Sequence, residues 1–78
     1  MPALNSNDRR RIFHARKMRR YAEYEEFYEL FPDLYAELEF DALAVEFLTY
    51  HGLPLSQENI DEHTQGQVEY DEFLSNQQ

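Results

Sequence analysis

Seven basic side chains crowd into one short stretch: Arg9, Arg10, Arg11, Arg16, Lys17, Arg19 and Arg20, with no acid among them. Guanidinium groups at this density on a helix can neutralise phosphates, and Phe13 or Tyr21 can stack on an unpaired base. From Tyr21 to Gln78 the composition inverts, to fifteen acids and no base, so the net charge of −9 conceals a cationic front and an anionic remainder. An array of carboxylates on helices has near-fixed spacing. It can cover a basic protein surface or occupy a nucleic-acid-binding groove in place of phosphates. The candidate protein-binding residues are Glu23, Tyr24, Glu26, Tyr28, Glu37, Asp41, Phe47 and Tyr50. The candidate nucleic-acid or anionic-surface residues are Arg9, Arg10, Arg11, Phe13, Arg16, Lys17, Arg19 and Arg20. The ordinary alternative for each block is a solvated face, although such surfaces usually mix signs.

The remaining reactive types do not assemble into a catalytic pattern. His14, His51 and His63 share no ligand spacing, and Ser6, Ser56 and Ser75 have no nucleophile elbow or partner base beside them. Carboxylate pairs such as Glu25/Glu26 and Asp71/Glu72 are too abundant to mark an acid–base dyad. The expectation is a non-enzymatic protein without a cofactor. There is no cysteine, hence neither a disulfide nor a Cys/His zinc site.

Within the acidic remainder, Asp61, Gly66, Val68, Glu69 and Glu72 fall at the first, sixth, eighth, ninth and twelfth places of a twelve-residue segment, followed by Phe73. In this the segment resembles the calcium loop of the EF-hand family. The resemblance implies a calcium-responsive helix pair with Asp61, Glu69 and Glu72 among the ligands. His63 and Gln65 stand where that family carries oxygen ligands, usually Asp or Asn, so the affinity implied is low. No bound metal is the primary expectation, with this loop as the alternative.

The elements that must position these groups read as all-α. Arg9 to Phe31 contains good helix formers and neither Gly nor Pro, behind candidate N-caps at Asn5, Ser6, Asn7 and Asp8. At about 100° per residue, Tyr24, Phe27, Tyr28 and Phe31 make one aromatic stripe, whereas Ile12, Ala15, Met18 and Ala22 lie on the opposite side. The apolar face thus changes sides near residue 21. Either the helix breaks there, or one continuous helix has a first half that leaves the body. Cations at its N-terminal end and glutamates at its C-terminal end both oppose the helix dipole, at about 0.3–1 kcal/mol per well-placed charge. An anionic neighbour, in the same molecule or another, relieves that order.

Pro32 suits the first turn of a second helix, predicted from Pro32 to His51, with Gly52 as a left-handed terminator. This helix has two apolar stripes, Leu34/Leu38/Ala42/Val45 and Phe40/Leu43/Phe47/Tyr50, and is expected to pair with the first as an antiparallel hairpin. Ser56 is the expected N-cap of a short helix from Gln57 to Thr64, ended by Gly66. Val68, Tyr70, Phe73 and Leu74 form a last short helical piece. The fold class expected is an all-α hairpin of two long helices plus a short C-terminal helical segment, completed in one version by oligomerisation. The domain division is a tail at 1–7, one helical domain at 8–74 (basic start 9–20, acidic body 21–74) and a frayed end at 75–78. Seventy-eight residues sit near the lower size for a self-sufficient core. Twelve Phe and Tyr residues exceed what such a core readily hides, which points outward to interfaces. No apolar run suffices for a membrane span, and the default location is the cytoplasm.

Three functions follow in order of preference. The first is a small acidic regulatory or assembly protein, an inhibitor or adaptor. It binds a larger protein through its body and an anionic surface through its basic helix, with a head-to-tail homo-oligomer as one form. The second is a nucleic-acid-binding regulator, antitoxin-like or RNA-binding, led by residues 9–20. The third is the calcium module.

Overall fold

A computed structural model describes residues 5–77. Four helices follow in order: α1 (Ser6–Leu30), α2 (Pro32–Glu37), α3 (Phe40–Tyr50) and α4 (Gln57–Ser75), with no strand among the described residues. The all-α class is as expected. The tail at 1–7 lies partly outside the described residues. Within them, Asn5 is the N-cap of α1, and its side-chain oxygen accepts from the Asp8 N–H at 2.8 Å. Of the expected frayed end, Ser75 closes α4, Asn76 caps it, and Gln78 lies outside the described residues.

Of the two readings at residue 21, the uninterrupted helix is the one found. α1 runs through Tyr21 and Ala22, and only its second half is covered: Tyr21, Tyr24, Phe27 and Tyr28 are its buried residues. Helix continuity here costs little, because every residue from 8 to 30 is a tolerable helix former. α1 ends where Phe31 leaves helical geometry ahead of Pro32, which occupies the first turn of α2 as expected.

The predicted second helix is two helices. Leu38 is extended (φ −96°, ψ 148°), and Glu39 (φ −72°, ψ 163°) becomes the N-cap of α3. One straight helix with apolar stripes on two sides needs cover on both. Turning the chain at Leu38 lets Leu34, Leu38 and Phe40 pack against the same aromatic cluster that receives Leu43 and Phe47. Gly52 then ends α3 as predicted, at φ +66°, with the Leu53 N–H bonded to the Leu48 carbonyl at 2.9 Å. Ser56 caps α4 as predicted, accepting from the Asn59 N–H at 3.1 Å.

α4 was expected as two short pieces and is one helix of 19 residues. Gly66 does not end it. It sits inside the helix because its bare surface receives the Tyr24 ring. A β-carbon at that position would stand 3.2 Å from Cζ and 3.3 Å from Cε2 of Tyr24, with the hydroxyl closer still. The cost of glycine in a helix, about 1 kcal/mol relative to alanine, is here the condition for a close crossing of α1 over α4.

The tightest hairpin is therefore α3 against α4, not α1 against the Pro32–His51 segment. Phe47 faces His63 at 4.9 Å between ring centres, while the Phe40 carbonyl accepts from Gln67 at 3.3 Å, a pairing that runs antiparallel. α1 lies across this pair with Tyr24 and Phe27 edge-on to Phe47, at 5.0 and 5.5 Å. The 18 Å thickness of the molecule matches two helix layers.

The buried tyrosines are half polar, and their hydroxyls reach partners 39 residues away. The Tyr28 hydroxyl donates to Gln67 Oε1 at 2.7 Å, and Gln67, itself fully buried, donates onward to the His63 and Phe40 carbonyls. The Tyr24 hydroxyl lies 2.9 Å from His63 Nδ1. Every buried side-chain polar atom among the described residues has a partner, as a core with this many hydroxyls requires. Burial holds the Tyr24 and Tyr28 phenols protonated, well above the ordinary tyrosine range.

Burial also pushes the His63 imidazole below its usual value, and the Arg20 charge adds to the effect. Glu62 and Glu23 pull the other way, and His51 at the end of α3 opposes protonation. A histidine lowered in the folded state contributes stability that is complete above its unfolded value of about 6.5 and lost as pH falls below it. His14 and His51 are present in the wild type and in a His63 variant alike, so the comparison must be differential. The urea midpoint of the wild type should fall between pH 7.5 and 5.5 relative to that of His63→Gln. Parallel pH profiles for the two proteins would show that His63 does not titrate on unfolding.

Candidate binding surfaces: a cationic arm and an acidic helix face

The N-terminal half of α1 projects past the body as an arm. Residues 9–16 are exposed, and Phe13, whose neighbours three and four residues away are Arg9, Arg10, Arg16 and Lys17, is 70% exposed. Among the described residues there is a single ion pair, Arg20 to Glu62 at 2.8 Å, at the root of the arm where α1 meets α4. Lys17 lies over the Tyr21 ring at 5.6 Å, a contact worth about 0.5–1 kcal/mol at an exposed site. Arg9, Arg10, Arg11, Arg16 and Arg19 have no carboxylate within ion-pair distance. The body does not answer the charge of its own arm.

Beyond the Arg20–Glu62 contact the two helices diverge and leave an open cleft of about 440 Å³. One wall is the arm, through Phe13, Arg16, Lys17 and Arg20. The other is α4, through Glu62, Gln65, Gly66 and Glu69. The α4 wall belongs to a longer stripe, since Glu58, Glu62, Glu69 and Glu72 recur at three, four and seven residues along the exposed side of the helix, beside the face that buries His63, Gly66, Gln67 and Tyr70.

The eight residues expected to bind a protein partner divide. Glu23, Glu26, Glu37 and Asp41 are exposed on α1, α2 and α3, and Tyr50 is 50% exposed. Tyr24, Tyr28 and Phe47 are corrected to core residues, at 0%, 9% and 1% exposure. They pack on one another and on His63 and Gln67, because burying aromatic area inside the chain satisfies both ring and hydroxyl at once. Most of the aromatic load is absorbed in this way. Tyr50 remains outside with Leu30, stacked edge-on to Phe31 at 5.4 Å. The eight residues expected on the anionic-surface side all lie on α1, as predicted, with Arg20 alone committed to a carboxylate. What the residue pattern missed is the α4 stripe. A helix end at Gly66 divides its carboxylates between two short pieces, and only the single helix gives them a common face.

The calcium loop is not formed. Asp61 to Glu72 is helical throughout, and a helix directs Asp61, Glu69 and Glu72 outward along its axis rather than around a central point. Among the described residues no three His, Asp or Glu side chains come together in a way that can hold a metal ion. No helix among them is long and apolar enough to cross a membrane. No protein-family model matches the chain, and no curated protein or solved structure is significantly similar to it.

Proposed function

We propose that this chain is a non-enzymatic docking protein, an adaptor or assembly factor whose contact element is the cationic arm and whose acidic body carries a second, opposite-signed surface. The observation that supports this reading is the state of the arm: six of its seven cations stand outside any ion pair, around an exposed phenylalanine. A helix that keeps this order of charge against its own dipole, and is not neutralised from within, is suited to an anionic surface on another molecule. The body contributes through its exposed carboxylates, with Leu30, Tyr50, Leu53 and Leu55 among its exposed apolar side chains.

The test is a co-purification from the native cell, analysed for protein and nucleic acid, using the intact chain and a variant with Arg9, Arg10, Arg11 and Arg16 all changed to Gln. The exposed positions of these residues predict a melting temperature unchanged within the usual surface range, about ±0.5 kcal/mol. The variant should lose most of what the wild type retains. Equal retention by the two proteins would remove the arm from the function.

Phe13 favours a second reading, a nucleic-acid-binding regulator. An exposed ring among arginines is the arrangement by which unpaired bases are stacked while phosphates are neutralised. Fluorescence anisotropy with a single-stranded oligonucleotide at low salt should then show binding that falls steeply as salt is added. Absence of binding at low salt would eliminate it.

A further inference from the structure

We infer that the anionic surface taken by the arm is the α4 stripe of a second copy of this chain, giving a reciprocal dimer in which each arm lies on the other's α4. The inference rests on the docking reading above and names its partner. Three observations carry it.

The first is matched spacing. Arg9, Phe13, Arg16 and Arg20 recur along one face of the arm at three and four residues, and Glu58, Glu62, Gln65, Glu69 and Glu72 recur along α4 in the same way. At 1.5 Å rise per residue the two stripes span about 16 and about 21 Å, so the whole cationic face finds carboxylates opposite it. The second is that one rung of this ladder already exists: Arg20 binds Glu62 at 2.8 Å within the chain. The remaining rungs are not closed in the same molecule: no second ion pair forms among the described residues, and the arm and α4 border an open cleft of about 440 Å³. Glu58 and Glu72, at the ends of the stripe and outside that cleft, are open to a second arm without its passing the first. The third is Phe13, 70% exposed on the wall of that cleft, which supplies apolar area to an otherwise ionic contact.

The alternatives within a self-pair are disfavoured by sign. Arm against arm sets seven cations on seven, and α4 against α4 sets carboxylate on carboxylate. Arm on α4 is the pairing that joins opposite charges, and a two-fold axis allows it to occur twice in one closed dimer.

Sedimentation velocity on the intact chain tests this through two charge-reversed variants, Arg9→Glu with Arg16→Glu on the arm, and Glu69→Lys with Glu72→Lys on α4. All four residues are exposed, and Arg20 and Glu62 are left in place. The wild type should be dimeric at low salt, with a dissociation constant that rises at least about tenfold between about 50 and 500 mM salt. Each variant alone should be a monomer that keeps the wild-type helical content, melting no higher than the wild-type dimer. An equal mixture of the two should recover the dimer, since each reversed arm meets a reversed stripe. A wild type that remains monomeric at low salt, or a mixture that fails to associate, overturns the inference. If in that case the arm variant still loses an oligonucleotide or a co-purified partner, the docking reading survives with a different anionic surface. If reversal of the arm changes neither self-association nor any such binding, both fail.

Discussion

Phe47→Ala should all but unfold this protein, while Phe13→Ala should leave its stability nearly unchanged. Phe47 is 1% exposed and lies within 5.5 Å, ring to ring, of Tyr24, Phe27, His51 and His63. Removing a buried phenylalanine costs about 3–5 kcal/mol through lost transfer energy and the cavity left behind. A chain of this size has a total stability of roughly 4–12 kcal/mol at usual per-residue values. With each kcal/mol worth about 4–8 °C in a small domain, the melting temperature should fall by about 12 °C or more. Phe13, 70% exposed on the arm, loses almost no burial, and its replacement should stay within about 0.5 kcal/mol. Thermal melts followed by helical circular dichroism compare the two directly. A Phe13→Ala variant as unstable as Phe47→Ala would mean that the arm is packed against the body, and the docking reading would lose its basis. The same comparison guards the interpretation of binding data. Partner loss on changing Tyr24, Tyr28 or Phe47 would report unfolding, so interface tests belong on the arm, on the α4 carboxylates and on Tyr50.

Gly66→Ala should destabilise the protein although it improves a helix. Alanine in a helix interior gains about 1 kcal/mol over glycine, and at an open position that gain would appear as a higher melting temperature. Here the new methyl group meets the Tyr24 ring and hydroxyl. Tyr24 is fully buried and held at its hydroxyl beside His63, so it has no free space into which to move. Overpacking a close-packed core costs about 1–3 kcal/mol, and displacement of the Tyr24–His63 contact adds to it, so the loss outweighs the gain. The double-mutant comparison isolates the cause. In a Tyr24→Leu background the collision is gone, and Gly66→Ala should there be neutral or stabilising. A Gly66→Ala variant more stable than the wild type would show that α1 and α4 do not cross at this point.

Those two glycines, Gly52 and Gly66, illustrate what residue patterns can and cannot resolve. Gly52 follows a helix with a proline two places on, and its left-handed role is a local requirement satisfied by its own backbone. Gly66 offers the same letter, inside the segment whose spacing produced the resemblance to a calcium loop. Its role depends on Tyr24, 42 residues earlier, for which no local signal exists. The break at Leu38 is of the same kind. It contains neither Gly nor Pro, and the chain turns there because both apolar stripes find cover only if it does.

The amino-acid sequence by itself determined the all-α class, the reversal of charge along α1, the caps at Ser56 and Gly52, and the place of Pro32. Each of these is decided by backbone preferences and charge within a few residues. Only the tertiary structure decided which aromatic rings are core, where α2 ends, that α4 is one helix, and that a carboxylate stripe faces the arm across a cleft. Burial is a property of pairs of distant segments: a tyrosine reads alike in a core or at an interface until the Gln67 or His63 that takes its hydroxyl has been brought beside it.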